Sequence, residues 1–582
     1  MAWRWPAYLV LISFLQDSRA GDSGQSTFNV IMIAVDDLRH VGHAFGVPEV
    51  LTPNLDKLAG SRGSVSFLNA FAQAPTCGVS RSSLLTGRRP DTTRVLSNGG
   101  CPFTSRPTHN DWQSLPQYFR EHGYTTAGMG KIFHPNVCDG AAKGEWAASW
   151  SLPYFHPPCI SLGSIYNGTC YESYPFALPG VHKKRVHAYA NRTATDDDMP
   201  DGMIARHAVA TLTNLSRTGS PFFLSVGFHK PHLPHIAPAK YFDLYPEDVS
   251  LPKDEFAPKN LPKTAWNPSS EFRSYPDNAA AMDESGYSQH HSFNASYTRY
   301  CRRAYYAAAS YTDAQLGRIL SAVEGLGLSN NTVVALWGDH GWHLGENNEW
   351  GKHTAFARAS QSPLLFRRPC TDSHSRCDAF TVTEGYAEFV DIFPTLVDLA
   401  GLPSVPQCLN ATMSDTSPAC HEGASLARVV HGDGDATASS RSGKPAAFYQ
   451  WEIDGHTGYT VVTTEAVHGS TVRYTEWVVA KDYAPDWTTV VARELYVPAP
   501  YRHGACVIGC EMCEVQPYGG RGRGQQRGRR PSAEGDSALA QQDTPQRLAR
   551  FIMKTNIEIG KRVVSLMNTQ HRGAPNTTQR FM

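Results

Sequence analysis

Three near-continuous apolar stretches constrain this chain more than anything else in it. Residues 28–35 (FNVIMIAV), 221–228 (PFFLSVGF) and 332–337 (TVVALW) are rich in β-branched and aromatic side chains and show no polar alternation. A strand with one wet face alternates; a strand covered on both faces does not. These runs therefore predict central strands of a parallel sheet held between helix layers. Helical patterns fall between them. A capped helix is expected over 52–60, a helix start over 80–86, helices over 115–122, 205–215 and 389–400, and a long amphipathic helix over 303–326. Shorter strands are expected over 125–128 and 363–366. Such alternation predicts an α/β sandwich with a large, mostly parallel sheet flanked by helices.

After about residue 443 the texture changes, and 448–451, 458–464 and 472–479 alternate like antiparallel strands. A smaller C-terminal α+β subdomain is expected over 443–582, beside a main α/β domain over 21–442. A chain of 582 residues is long enough for both. The proline-marked stretch from Pro252 to His291 predicts a long irregular excursion that forms part of a substrate rim. Residues 519–530 (GGRGRGQQRGRR) are low-complexity and basic, and a surface loop is the expected form.

The N-terminus has the form of a signal peptide over 1–20. Arg4 supplies the positive start, residues 7–15 the short apolar run, and Ser18-Arg19-Ala20 the cleavage site. That run is too short to span a bilayer, and membrane insertion is not expected. Sequons for N-glycosylation begin at Asn167, Asn191, Asn214, Asn294, Asn330, Asn410 and Asn576. The 13 cysteines suit an oxidising compartment, with Cys159/Cys170, Cys370/Cys377 and Cys408/Cys420 as candidate close pairs. The secretory pathway, with a lysosomal or extracellular destination, is the expected location. Lys+Arg and Asp+Glu are equal at 53 each, so no overall field points to nucleic acid or to a membrane surface. An anionic substrate must meet a local basic pocket.

The polar residues of interest follow the apolar runs. Asp36-Asp37, His229-Lys230 and Asp339-His340 each stand where a strand ends, and in open α/β sheets ligands bind at the carboxyl ends of strands. Adjacent carboxylates repel unless a cation lies between them, and an oxygen-rich set suits a hard ion such as calcium or magnesium. The same residues also suit plain loop and helix caps. Cys77 precedes a helix start with Arg81 one turn on, which suits either an anion-binding catalytic thiol or a structural cysteine.

The string CGVSRSSLLTGRRPDTTR at 77–94 resembles the signature of the sulfatase family, in which the first cysteine becomes formylglycine. VDD at 35–37, TPNLDKLA at 52–59, GKIFHP at 130–135, VGFHKPHLP at 226–234, GDHGWHLGE at 338–346 and EWGKHTAF at 349–356 agree in order and spacing. They resemble most the branch of that family that acts on 2-O-sulfated iduronate. The resemblance implies an alkaline-phosphatase/sulfatase-like sandwich. It implies a site with one Ca2+ per subunit at Asp36, Asp37, Asp339 and His340, with formylglycine at Cys77 as a further ligand. It implies Arg81 as the residue steadying the nucleophile, and Lys131, His134, His229 and Lys352 as holders of sulfate or movers of protons. Trp342 is expected beside the substrate. The implied activity is hydrolysis of a sulfate ester on a glycosaminoglycan or other sulfated sugar. A formylglycine-generating enzyme is the implied maturation partner. Val79 stands where the family pattern has Pro or Ala. A sulfatase of another sugar specificity, a phosphoester or phosphonate hydrolase of the same superfamily, and an inactive glycan-binding relative remain as alternatives.

Overall fold

Seven consecutive residues without a wet face need neighbours on both edges and cover on both surfaces. In the computed structural model β1 (Asn29–Val35) finds both: all of its residues are buried, within a seven-stranded sheet. The structure describes residues 27–103, 112–135, 147–157, 187–190, 194–253, 255–258, 261–370, 377, 380–432, 444, 446–467, 470–481 and 484–496. The other strands are β2 (Ser64–Phe71), β3 (Thr125–Gly130), β4 (Phe222–Phe228), β5 (Thr332–Gly338), β6 (Leu364–Arg367) and β7 (Thr381–Glu388). Their spatial order is β7-β2-β6-β5-β1-β4-β3. Val30 pairs with Phe223 of β4 and Val333 of β5, both in parallel. Only β6 runs against its neighbours β2 and β5.

The two faces of β1 feed separate cores. Ile31, Ile33 and Val35 pack with α1 (Pro53–Ala59), α4 (Pro200–Leu215) and α5 (Ala295–Gly325). Val30, Met32 and Ala34 pack with α2 (Cys77–Thr86), α3 (Leu115–Glu121) and α6 (Ile392–Leu399). Strand side chains alternate between faces, so an unbroken apolar run serves both layers. Each fully buried Ile or Leu contributes about 1.5–3 kcal/mol.

The expected helices and strands are present, with shifted ends. The long helix begins at Ala295 and not at 303, because the Asn294 side chain accepts the Tyr297 N–H and caps it there. Strands β2 and β7 join the sheet without having been expected. The C-terminal strands β8 (Ala446–Ile453), β9 (His456–Val467) and β10 (Ser470–Lys481) form an antiparallel sheet with an unexpected fourth, β11 (Ala484–Tyr496). Asp454 and Gly455 both have positive φ, 48° and 72°, as the tight turn between β8 and β9 requires. Disulfides join Cys370 to Cys377 and Cys408 to Cys420. The expected signal peptide, the Cys159/Cys170 pair, the sequons at Asn167, Asn191 and Asn576 and the 519–530 tract lie outside the described residues. Among the described residues, no helix is long and apolar enough to cross a membrane.

A buried ionic knot ties the C-terminal strands to the main sheet. Glu388, at the end of β7, takes Arg89 through both oxygens, at 2.7 and 2.9 Å, and Lys444 at 2.7 Å. It also accepts the Phe448 N–H of β8 at 3.1 Å. Burial alone would raise the Glu388 carboxyl, but Arg89 and Lys444 outweigh it and hold it at about 2. Glu388→Gln breaks this knot and is expected to lower unfolding stability by roughly 3–5 kcal/mol in denaturant titration. A depressed carboxylate stabilises above its ordinary value and loses that contribution as pH falls toward its folded value. The gap between parent and variant is therefore expected to stay constant down to about pH 5 and to shrink below about pH 4.

Candidate active site

Parallel strands bring their carboxyl ends to one edge, and the polar residues that follow them meet there. Three backbone bonds extend the ladder into the loops: Asp36 N–H to Phe228, Asp339 N–H to Val35 and Lys131 N–H to Gly227. Successive residues of a strand point to opposite faces, so Asp36 and Asp37 would normally diverge. Asp37 instead adopts a left-handed φ of 58°. The turn brings both carboxylates to one cluster with Cys77, the first residue of α2.

The pairing is dense and almost dry. Asp36 takes Lys131 at 2.6 Å and Arg81 at 3.4 Å. Arg81 also reaches Asp339 at 2.9 Å, bridging the ends of β1 and β5, and lies 5.5 Å above the Trp337 ring. Asp37 Oδ1 takes Lys352 at 2.8 Å, and the same ammonium lies 3.3 Å from the Cys77 sulfur. His340 Nε2 lies 3.3 Å from both Cys77 Sγ and Asp37 Oδ1. Its Nδ1 faces the Gly341 carbonyl at 3.0 Å, and a carbonyl only accepts. The Nδ1 hydrogen therefore goes to Gly341, and Nε2 presents its lone pair to the cluster.

Burial and neighbours set the charges. Burial would raise Asp36, but Lys131, His232 and Arg81 hold it well below the usual carboxylate range. Burial raises Asp37 well above that range, opposed by Lys352. Burial pushes the Cys77 thiol well up, so an unmodified thiol here stays protonated at neutral pH. Burial would lower Lys352, but Asp37 and Glu271 hold it above its ordinary value. Burial also lowers His134 and His229 well below the ordinary histidine value.

Asp37, Cys77, Asp339 and His340 offer ligand atoms within 4.8 Å of one another. Asp36 falls in an adjacent group with Cys77 and His232. Asp37 Oδ2 is buried and has no hydrogen-bond partner among the described residues. A carboxylate oxygen left in this way, beside a second carboxylate, fits a hard divalent cation.

The other expected residues surround this cluster. His229 is buried, its backbone N–H held by Asp201 at 2.8 Å, and its ring lies in the field of Asp36 and Lys131. His134 is half-buried just beyond Lys131, with Nδ1 unbonded among the described residues. Trp342 is fully buried behind Lys352, whose ammonium lies 5.4 Å from the ring centroid. Two residues at the cluster were not anticipated. His232, which suits a loop histidine by sequence, is buried with Nε2 3.4 Å from Glu271 and 3.9 Å from Asp37. Glu271 comes from the 252–291 excursion and meets Lys352 at 3.2 Å. Spacing from His229 hints at His232, while nothing local marks Glu271. Lys230 is likewise buried and donates to the His232 carbonyl at 2.7 Å.

A cation that binds only the folded chain stabilises it, by about 2.7 kcal/mol at a hundred times its Kd. Chelator-treated protein is therefore expected to melt higher on addition of CaCl2. Asp37→Asn and Asp339→Asn are expected to abolish that gain; an unchanged melting temperature in the parent speaks against the cation site.

The family model described as Sulfatase matches residues 28–402. Iduronate 2-sulfatase of Mus musculus is 33% identical over 541 residues, covering 85% of this chain and 94% of that protein. Iduronate 2-sulfatase of Homo sapiens is 32% identical over 518 residues, covering 82% and 90%. Among solved structures, the phosphonate monoester hydrolase of Agrobacterium radiobacter has a TM-score of 0.60 at 18% identity, with 93% of this chain and 96% of that chain covered. A protein in complex with its substrate D-glucosamine-2-N,6-O-disulfate also gives 0.60, at 16% identity, covering 95% of this chain and 100% of that chain. At these identities the structures bear on the fold, which is the alkaline-phosphatase-like sandwich that the motifs imply. With the matched segment running from the start of β1 to beyond α6, the chain belongs to the sulfatase family.

Proposed function

We propose that this protein hydrolyses sulfate esters of sugars, removing 2-O-sulfate from iduronate at the ends of heparan or dermatan sulfate chains. The observation that carries the reading is the cluster around residue 77, in a chain 33% identical to mouse iduronate 2-sulfatase over most of both lengths. A formylglycine made from Cys77 supplies, as its hydrate, one hydroxyl for attack on sulfur and another for expelling sulfate, while Ca2+ supplies fixed positive charge. Asp37, Asp339, His340 and residue 77 would hold the ion, with Asp36 alongside. Lys131 and Lys352 face the same point and neutralise charge on the sulfate oxygens. Arg81 fixes both acidic loops and so the position of residue 77 on α2. His229 gives a proton to the leaving sugar oxygen, and the negative charge of bound sulfate opposes the burial that otherwise keeps its ring neutral. Trp342 supports Lys352 from behind.

The secretory pathway, ending in the lysosome or outside the cell, agrees with this reading. The described sequons at Asn214, Asn294, Asn330 and Asn410 are all exposed, and the Cys370–Cys377 and Cys408–Cys420 disulfides are formed. Val79 favours a second reading, a sulfatase-like protein that binds sulfated glycans without turnover. Its side chain packs with Ala74 and Val95 where the family pattern has Pro or Ala.

Mass spectrometry of the tryptic peptide 63–81 from secreted protein separates the two. Formylglycine at 77, with release of sulfate from an oligosaccharide ending in 2-O-sulfated iduronate, is expected. Only unmodified cysteine, from cells that modify a control sulfatase, sinks the hydrolase and favours the glycan binder. Modification with activity on a different sulfated sugar corrects the substrate alone. In the active protein Cys77→Ala is expected to abolish sulfate release. His229→Ala is expected to lower kcat by roughly a hundredfold to ten-thousandfold.

A further inference from the structure

The left-handed turn at Asp37 is held by a residue from the long helix α5. Non-glycine residues at positive φ are uncommon, and such conformations persist where the surroundings over-determine them. Tyr305, fully buried midway along α5, donates its hydroxyl to the Asp37 carbonyl at 2.7 Å. The same hydroxyl accepts the Arg39 N–H at 2.9 Å. One side-chain oxygen thus closes the turn across residues 37 to 39, in place of a direct backbone bond. Two further backbone groups of the turn are also taken: Asp37 N–H goes to Asp339 Oδ1 at 2.9 Å, and the Leu38 carbonyl accepts Ser362 at 2.6 Å.

The helix grips the turn at a second point. Glu346 binds Arg39 at 2.7 Å and Arg302 at 3.2 Å, and Arg302 lies one turn before Tyr305 on α5. The Tyr305 ring is itself wedged, with His235 set edge-on at 5.4 Å. Asp37, Arg39 and Tyr305 are all buried, so removing the hydroxyl leaves a carbonyl and an N–H without their partner.

We infer that Tyr305 is the positioning residue of the cation site, fixing the Asp37 backbone so that its carboxylate meets Asp339 and His340. This rests on the cation reading above. Tyr305→Phe keeps the ring and loses the clamp. Partners that orient metal ligands typically change affinity by about ten- to a hundredfold. Tyr311→Phe is the control: Tyr311 is equally buried on the same helix, but its hydroxyl binds Gly202 N–H at 2.7 Å and the Asp196 carbonyl at 3.2 Å.

Calorimetric titration of CaCl2 into the chelator-treated full-length protein tests the inference. Tyr305→Phe is expected to weaken Ca2+ binding at least roughly tenfold, while Tyr311→Phe keeps parental affinity at a similar loss of melting temperature. Parental affinity in Tyr305→Phe, or equal weakening in both variants, overturns it. If the parent binds no Ca2+, the cation reading falls by itself. The crystal structure of Tyr305→Phe then decides: Asp37 leaving the left-handed region upholds the clamp, and an unchanged Asp37 refutes it.

Discussion

Three carboxylates lie fully buried at one edge of the sheet, and the site depends on offsetting their mutual repulsion. Asp36, Asp37 and Asp339 stand at the ends of neighbouring strands, and the left-handed turn at Asp37 keeps them together. Arg81 joins two of them, while Lys131 and Lys352 reach in from other loops. A buried ion pair is expensive to break, since removing one partner strands the other charge away from water. The basic residues thus have two duties. They make the acidic cluster tolerable, and they give an incoming anion a positive field in a medium that screens it weakly.

The parts legible in the sequence share one physical property: they leave a local pattern. A strand covered on both faces must be apolar throughout, so β1, β4 and β5 are plain in the chain. The acidic residues closing β1 and β5 are plain for the same reason, since charge directly after such a run needs a partner. Strand β2 is hidden because Ser64 and Asn69 break its apolar run. Their polarity is satisfied by tertiary bonds to Leu58 and Glu384. Strand β7 lies at the sheet edge, where Val382 is 42% exposed, and an edge strand carries a weaker signature.

The same distinction divides the site. Cys77, Arg81, Asp339, His340 and Lys352 lie in compact motifs, and the structure gathers them within a few ångströms of one another. Glu271 arrives from an excursion with no local signature, and only the folded arrangement reveals that it pairs with Lys352 and lies beside His232. A histidine between prolines, as His232 is, carries no sign of where its ring points. Trp342 is placed by its motif, and its ring packs in the core beneath the Lys352 ammonium.

The complete burial of Cys77 bears on how each molecule comes to be what it is. The sulfur lies beneath Lys352 and His340 at the foot of α2, where no second protein can reach it once the sheet has closed. Any enzyme that rewrites this side chain must act on the chain while it is still extended during synthesis. Folding then sets a deadline. Were Cys77 so modified, a molecule that missed it would keep a thiol for life, with the same fold and the same surface. A preparation can therefore hold two populations that differ by one side chain, in a ratio recording a race between two rates.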